Sequence, residues 1–268
     1  MSTLTSYTNA TRPSASSNSG LCIFNTDTNA INVSDGTDWR AYANDGVHSQ
    51  VASFDGANDY IDTNNKFDFI QQTCEFTVTC WVKFTDHTST AANQFILGNT
   101  NSGSQVGMML WYDNRSSSGS NKQLRVLVSP ATGSIGDVYV NVNNGITDNN
   151  WHHIAVTGSG SGGTLKMYRD GSLIGSTSGL TTTTNTSMHD MLFGAVGTTP
   201  SGFFGGYLDE VSFFESELSS GDITSLVSSH SYTGATSLYK FEGNANDSIG
   251  TNNGTNNEAT FPWAIVGL

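Results

Sequence analysis

Alternating apolar and polar residues form the clearest pattern in this sequence, and they predict a chain built mostly of β-strands. Between residues 74 and 84 (CEFTVTCWVKF), every second residue from Cys74 to Phe84 is apolar, so we predict a strand with one buried face. Similar short runs, separated by turn residues, lie at 21–24, 30–33, 51–54, 60–61, 94–97, 106–112, 124–129, 152–157, 165–168, 173–176, 191–195 and 207–213. Many short strands with regular turns are typical of a two-sheet antiparallel jelly-roll sandwich.

A helical pattern occurs once, at residues 219–228. Ser219 and Asp222 have the spacing of a capping box, and Ile223 and Leu226 would share one face of the helix. The sequence therefore predicts an all-β fold with a single helix.

The composition supports a protein rich in strands and turns that is displayed at a surface. Charged residues make up 12% of the chain and the net charge is −13. This disfavours a nucleic-acid partner, which requires a basic patch. No apolar stretch is long enough for a membrane span, and the N-terminus shows no secretory signal. A surface protein without such a signal needs another route outside, and assembly in a host cytoplasm into a virus particle that is released by lysis is one such route.

Two parts of the chain differ in character, with a predicted boundary after residue 45. Residues 1–19 form a Ser/Thr/Asn-rich arm, and residues 20–42 read as a small β-hairpin unit. A short segment of tailed-phage fibre and virion proteins resembles this region at Arg12-Pro13, Gly20-Leu21, Phe24-Asn25-Thr26, Asp35-Gly36-Thr37 and Trp39. We expect residues 1–45 to serve virion attachment or oligomerisation. An ordinary hairpin is the alternative.

Residues 46–268 are predicted to form one jelly roll. Three stretches carry a family resemblance: Phe54-Asp-Gly-Ala-Asn-Asp-Tyr-Ile61 with Phe76-Thr-Val-Thr-Cys-Trp81, Trp151-His-His-Ile-Ala-Val156 with Leu165-Lys-Met-Tyr-Arg-Asp-Gly171, and Gly206-Tyr-Leu-Asp-Glu-Val211 with Leu218-Ser219. Their order is similar to that of the laminin G-like, concanavalin A-like jelly-roll family. The resemblance implies two stacked antiparallel sheets. Many members of that family bind glycans, some carry a structural calcium ion, and some relatives are glucanases.

The C-terminal segment 237–268 is out of place in that order. Residues 237–250 (SLYKFEGNANDSIG) resemble the segment that usually opens such a domain, yet here they come last. A circularly permuted jelly roll closed by its own tail explains this, and the opening strand of a truncated repeat is the alternative. We favour permutation, because residues 43–50 are too few to supply the missing strand and chain termini usually lie close together.

Calcium is the one cofactor that the sequence predicts. Asp55 and Asp59 lie on one turn, and the resemblance places Asp209 near them at the end of a strand. Hard carboxylate oxygens on turns are typical calcium ligands. The alternative is that Asp55 accepts hydrogen bonds from turn amides and that Asp209 caps a strand end.

A glycan-binding surface is predicted at the loop 113–121, because binding residues concentrate on loops. The candidate residues are Trp111 and Tyr112, which could stack on sugar rings, followed by Asp113, Asn114 and Arg115. Core packing of the two aromatic residues is the alternative.

Catalysis is not expected. Retaining glucanases need two carboxylates about 5–5.5 Å apart, and on a strand these come from Glu-x-Asp-x(-x)-Glu. Here Tyr207 occupies the nucleophile's place beside Asp209. The adjacent His152 and His153 would face opposite sides of a strand, which favours packing over joint metal binding. Cys74 and Cys80 would lie roughly 20 Å apart on one strand, so we expect free thiols.

These observations together predict a non-enzymatic virion protein, either a capsid decoration or a tail or head fibre, that displays a lectin-like jelly roll. Its expected partners are other virion proteins, further copies of this chain in a homo-oligomer, and a polysaccharide of the host cell surface. A bacterial carbohydrate-binding lectin or adhesion protein outside any virion is the alternative.

Overall fold

The computed structural model describes residues 5–26, 30–34, 36–42, 48–88, 93–100, 106–115, 122–131, 133 and 136–265. Described residues up to 49, together with 263–265, form one compact unit, and residues 50–262 form a second. Residues 43–47, where the sequence predicts the domain boundary, lie outside the described residues.

The chain is built almost entirely of strands. In chain order they are β1 (Ser6–Tyr7), β2 (Cys22–Asn25), β3 (Ala30–Ser34), β4 (Trp39–Tyr42), β5 (His48–Gln50), β6 (Ala52–Asp55), β7 (Tyr60–Asp62), β8 (Glu75–Phe84), β9 (Gln94–Gly98), β10 (Gly107–Asp113), β11 (Gln123–Ser129), β12 (Val138–Val142), β13 (His152–Ser159), β14 (Thr164–Arg169), β15 (Ser172–Ser178), β16 (Leu192–Phe193), β17 (Gly205–Phe214), β18 (Ser237–Tyr239), β19 (Thr255–Asn257) and β20 (Trp263–Ile265). The helices are α1 (Phe69–Thr73), α2 (Ser220–Ser229) and a 3₁₀ turn at Ala15–Ser17.

The first unit holds a four-stranded sheet in the order β1-β2-β3-β4, with β1 parallel to β2 and the remaining pairs antiparallel. Side chains tie its loops to the strands. The Trp39 indole Nε1 donates to the Pro13 carbonyl at 2.7 Å, and the Ser34 hydroxyl donates to the Ala15 carbonyl at 2.8 Å. Asp35, part of the predicted tight turn, lies outside the described residues.

The second unit is a sandwich of two antiparallel sheets, so the predicted all-β jelly roll is confirmed. The open sheet has the order β12-β11-β10-β9-β16-β7-β19. The helix-covered sheet has the order β15-β14-β13-β8-β17-β18, and β6 also pairs with β17. Inward-facing side chains of both sheets form one core, which includes Phe54, Ile61, Phe76, Val78, Cys80, Val82, Phe84, Ile96, Leu110, Tyr112, Val126, Val140, Ile154, Val156, Met167, Phe193, Leu208, Phe213 and Tyr239.

The C-terminal segment adds one strand to each sheet. Strand β18 pairs with β17 in the helix-covered sheet, and β19 pairs with β7 in the open sheet. Tyr239 at the end of β18 and Phe241 just after it enter the core, where the Tyr239 and Phe193 rings meet edge to face at 4.9 Å. The tail therefore completes the sandwich on both sides.

Helix α2 starts where the sequence predicts. Ser219 and Asp222 form the reciprocal capping box, with the Ser219 Oγ accepting from the Asp222 N–H at 3.2 Å and the Ser219 N–H donating to the Asp222 carboxylate at 3.0 Å. Ile223 of the helix packs against Ala155 and Tyr168 on the outer face of the helix-covered sheet. The part of that face around Ala155 and Tyr168 is therefore removed from solvent.

This cover corrects the prediction that the 74–84 strand is half buried. Thr77, Thr79 and Trp81 lie on the outer face of β8, yet all are buried. The segment around α2 packs over them, since the Thr77 hydroxyl donates to the Ser216 carbonyl at 2.8 Å. Cys74 precedes the strand as the left-handed C-cap of α1, an element that the sequence pattern did not predict.

Candidate functional site

The outer face of the open sheet presents polar and aromatic side chains in rows across neighbouring strands. Because side chains alternate along β10, Leu110 and Tyr112 enter the core while Trp111 and Asp113 point outward. We call this outer set the ladder face; it comprises Phe95, Trp111, Arg125 and Asn141 in one row, Asp113, Gln123 and Asn143 in the next, and Tyr139. Asn141 and Asn143 are exposed, and Phe95, Gln123, Arg125 and Tyr139 are partly exposed.

Trp111 supports the centre of the ladder face rather than its surface. Its side chain is only 5% exposed and stacks on Phe95 with ring centroids 6.0 Å apart. The Arg125 guanidinium lies over the other side, 4.7 Å from the ring centroid, in a cation–π arrangement. Arg125 Nε also donates to the Asn141 Oδ1 at 2.7 Å. The guanidinium and the amide are therefore held in fixed positions at the surface.

The buried carboxylate of Asp113 holds the Arg125 guanidinium in place. This carboxylate is fully buried and accepts from Arg115 Nε and from Arg125, each at 3.1 Å. The hydrogen bond with Asp113 raises the pKa of the Arg115 guanidinium. Because a buried charge is costly unless it is paired and hydrogen-bonded, the two arginines compensate the carboxylate, and the three groups carry a net positive charge.

The predicted glycan-binding residues are thus separated by the structure. Trp111 and Asp113 are buried members of the ladder face, while the Tyr112 ring packs against Phe84 in the core at 4.8 Å. The prediction of a ligand contact for Tyr112 does not fit this position. The Asn114 amide donates to the Thr88 carbonyl at 3.1 Å and fixes the start of the loop. Residues 116–121 of that loop lie outside the described residues.

Of the three carboxylates predicted to bind calcium, Asp55 and Asp59 lie close together on one turn. The Asp59 Oδ2 accepts from the Asp55 N–H at 2.9 Å, and the Asp55 Oδ1 accepts from the Ala57 N–H at 2.7 Å. Burial raises the pKa of Asp59, and the charges of Asp55 and Glu258 add to this. Glu258 comes from the C-terminal segment and also accepts from the Asn58 amide. Sequence spacing gave no signal for Glu258, because it lies 200 residues from that turn.

Asp209 lies elsewhere. Gly205 is the β17 residue opposite Asp55, whereas Asp209 is four residues further along and opposite Trp81. Its side chain is 1% exposed, and its Oδ1 accepts from the Glu210 N–H at 2.8 Å. Within the described ranges, no three His, Cys, Asp or Glu side chains are arranged to hold a metal ion. Calcium binding therefore stays a prediction that rests on Asp55 and Asp59.

A buried aromatic cluster lies between α2 and the helix-covered sheet. The His230 ring stacks on Trp81 at 5.5 Å, and the His153 ring meets the same indole edge-on at 5.3 Å. The bulge residue Glu210 has a positive φ of 47°. Its carboxylate meets the His230 Nδ1 at 2.5 Å and accepts from the Tyr232 hydroxyl at 2.7 Å. The bulge turns Glu210 towards the end of α2 and ties the helix to the sheet.

Among the described residues, no helix is long and apolar enough to cross a bilayer.

All three cysteines are free; Cys74 and Cys80 are buried, whereas Cys22 is exposed. Burial raises the pKa of the Cys74 thiol to about 11 and that of Cys80 to about 12, so neither is a reactive thiolate near neutral pH.

Solved structures with this architecture come from several sources. A Bacteroides ovatus protein to which carbohydrate binding has been provisionally assigned has a TM-score of 0.60 and 17% identity, and the match covers 89% of this chain and 68% of that one. The heptameric SAP-like pentraxin of Limulus polyphemus has a TM-score of 0.54 and 12% identity over 81% of this chain and 95% of that one. The CBM40 domain of the Ruminococcus gnavus IT-sialidase has a TM-score of 0.52 and 14% identity over 68% of this chain and 98% of that one.

At these identities the likeness shows a shared fold. No curated protein matches this chain. Residues 55–224, which cover well over half of the chain, match the family described as the concanavalin A-like lectin/glucanases superfamily. The predicted laminin G-like resemblance is confirmed, and this chain belongs to the concanavalin A-like lectin/glucanase superfamily.

Proposed function

We propose that this protein is a lectin-like carbohydrate-binding protein and that the ladder face of the open sheet is its binding surface. The observation that carries the proposal is the difference between the two sheets. Helix α2 covers the outer face of one sheet, whereas the other presents fixed amide, guanidinium and aromatic groups to solvent. The R. gnavus domain that shares this fold has been solved with α2,3 sialyllactose bound.

The ladder face has the chemistry that sugars require. Amide and guanidinium groups donate and accept hydrogen bonds in fixed directions, and a partly exposed aromatic ring offers an apolar surface for sugar C–H groups. Asn141 and Arg125 supply the first kind of group, and Tyr139 supplies the second. Because Asp113 already holds the guanidinium in place, little side-chain freedom is lost on binding.

A glycan array tests this proposal. We expect the purified protein to bind a subset of polysaccharide or oligosaccharide probes, and the double variant Asn141→Ala/Tyr139→Ala to lose at least about tenfold in affinity, roughly 1.4 kcal/mol. Asn150→Ala is the matched control, because Asn150 is an exposed asparagine on another loop. Equal binding by the double variant would refute the ladder face as the binding surface.

We also propose that the protein does not catalyse glycan hydrolysis. Asp209, the carboxylate of the glucanase-like pattern, is buried opposite Trp81 in the helix-covered sheet. Tyr207 occupies the position where a retaining glucanase needs its nucleophilic carboxylate. Release of reducing sugar from any polysaccharide that the protein binds, abolished by Asp209→Asn, would contradict this part of the proposal.

The setting that we propose is the surface of a phage virion, as capsid decoration or as tail or head fibre, with residues 1–45 as the attachment or oligomerisation segment. The resemblance at Arg12-Pro13 and Asp35-Gly36-Thr37 supports it. Gold-labelled antibody to this chain on purified particles tests it. Label on the capsid or the tail supports the proposal, whereas unlabelled particles favour a bacterial lectin outside any virion.

A further inference from the structure

A cleft lies beside α1, and none of its lining residues belongs to the ladder face. It has a volume of about 390 Å³ and is formed by four segments: the residues before and within α1, the residue that follows β17, the residue before β18, and the loop between β18 and β19. Its walls include Asn65, Asp68, Phe69, Glu215, Ile249 and Asn252. This volume falls in the range of small-molecule sites.

The polar wall of the cleft is fixed before any ligand arrives. The Asn65 amide donates to the Asn252 Oδ1 at 2.7 Å, and the Asn65 Oδ1 accepts from the Phe67 N–H at the same distance. Asn252 is held in turn by its own N–H, which donates to Asp247 at 3.3 Å, and by its side chain, which donates to Ser237 at 2.8 Å. A ligand would therefore meet an ordered surface, which lowers the entropy cost of binding.

Two carboxylates of the cleft have acceptor oxygens that no described donor uses. Within the part of the chain that the structure describes, the exposed Glu215 carboxylate accepts no hydrogen bond, and Asp68 uses only its Oδ2, which accepts from the Gln72 amide at 2.6 Å. No lysine or arginine is among the lining residues. The cleft therefore favours ligands that donate hydrogen bonds from hydroxyl groups and disfavours anions.

The lining of the cleft also includes apolar side chains. Ile249 is 52% exposed, one of the few large apolar side chains of the described residues that face solvent, and Phe69 is half buried beside it. We propose that the cleft binds one uncharged pyranose unit, whose hydroxyl groups donate to Glu215 and Asp68 and whose C–H face packs on Ile249 and Phe69.

This inference takes only its ligand class from the proposed carbohydrate binding, because it concerns a separate surface. The test is a titration of isotope-labelled protein, followed by amide NMR, with the methyl pyranosides of glucose, galactose, mannose and N-acetylglucosamine. We expect at least one of them to shift the Gly250 and Asn252 amides saturably, with a dissociation constant of about 1 mM because a single sugar makes few contacts. Glucuronic acid should bind at least about fivefold more weakly, since its carboxylate meets Glu215 and Asp68.

Two variants separate the cleft from the ladder face. Glu215→Gln and Ile249→Ser change exposed side chains, and each should weaken the cleft titration about threefold to tenfold without changing the Asn141 amide response. Glu75→Gln is the control, as Glu75 is an exposed carboxylate outside the cleft. No saturable shift with any of the four sugars, unchanged affinity in both variants, or shifts produced by calcium chloride in place of sugars would overturn the proposal. Shifts at the Asn141 amide alone would support sugar binding at the ladder face and would overturn the proposal of a binding site in the cleft.

Discussion

His152 and His153 are neighbours on β13, but their imidazole rings lie in opposite electrostatic environments. His152 is bridged by two carboxylates, with Nδ1 2.8 Å from Asp170 and Nε2 3.1 Å from Asp148. His153 is fully buried beside Trp81, and among the residues that the structure describes neither of its ring nitrogens has a hydrogen-bond partner. Hydrogen bonding to Asp170 raises the pKa of His152, whereas burial lowers the pKa of His153 to about 4.

His153→Phe should flatten the acid dependence of stability. The pKa of His153 falls from 6.5 unfolded to about 4 folded, so between these values the unfolded state binds more protons. Stability is therefore lost as pH falls through this window, by roughly 3 kcal/mol near pH 4. The variant should be as stable as the wild type at pH 7, or more so by about 1 kcal/mol, because an unpaired buried polar ring is removed. Urea unfolding at both pH values measures this; an unchanged pH dependence would contradict it.

Asp170→Asn should have the opposite pH signature. The raised pKa of His152 means that its contribution to stability is fully present below pH 6.5 and is lost as pH rises through the folded pKa. Removing the Asp170 charge should lower the free energy of unfolding by about 1 kcal/mol at pH 6 and by less at pH 9. The loss at pH 6 is modest because the Asp170 side chain is partly exposed. Asp148→Asn is the comparison and should cost less, because its contact is longer. Equal losses at both pH values would show that His152 does not respond to this carboxylate.

Asp247→Asn should loosen the C-terminal segment. The Asp247 Oδ1 accepts from the N–H groups of Leu238 at 2.9 Å, Ile249 at 3.2 Å and Gly250 at 2.9 Å. Burial alone would raise the pKa of Asp247, but these donors lower it, so the stabilisation holds at neutral pH and is lost as pH falls through the folded pKa. We expect a loss of about 2 kcal/mol at pH 7.

Hydrogen exchange measures the Asp247 effect locally. The amides of β18 and β19 should exchange faster in Asp247→Asn, because these strands hold the tail in both sheets. Glu75→Gln, an exposed carboxylate, is the control and should exchange like the wild type. Faster exchange spread evenly over the whole second unit would argue against a local role for Asp247.

Ser219→Ala should weaken the cover over the helix-covered sheet. The substitution removes the acceptor of the capping box, which typically costs about 1 kcal/mol. Tryptophan fluorescence should also change, because His230, the residue that caps the C-terminus of α2, stacks on Trp81. Ser228→Ala is the control, because the Ser228 hydroxyl donates only to backbone carbonyls of the same helix. Thermal unfolding of both variants should separate the cap from a general effect of losing a hydroxyl.

The sequence predicts much of the fold because its signals are local. The alternation around Val78 and the Ser219–Asp222 spacing need only neighbouring residues, and both are confirmed by β8 and α2. The short alternating run Val138–Val142 carried the same signal, yet it was not predicted as a strand, although it forms the edge strand β12. Helix α1 has no such signal, since its five residues are too few to show a helical period.

Candidate sites were less predictable, because they depend on contacts between distant segments. Trp111 and Tyr112 look equivalent in the sequence, but the pleat of β10 sends one to the ladder face and the other to the core. Asp209 appeared close to Asp55 in the family order, yet the register of β17 places it opposite Trp81. Register is set by pairing across the sheet, which local patterns do not contain.

Adjacent residues alone therefore predict an all-β sandwich with one capped helix, since strand alternation and capping depend only on near neighbours along the chain. Only the tertiary structure decided where the C-terminal segment inserts and which outer face α2 covers. The same packing raises the pKa of His152 and lowers that of His153, because burial and pairing arise only when the sheets and the helix pack together.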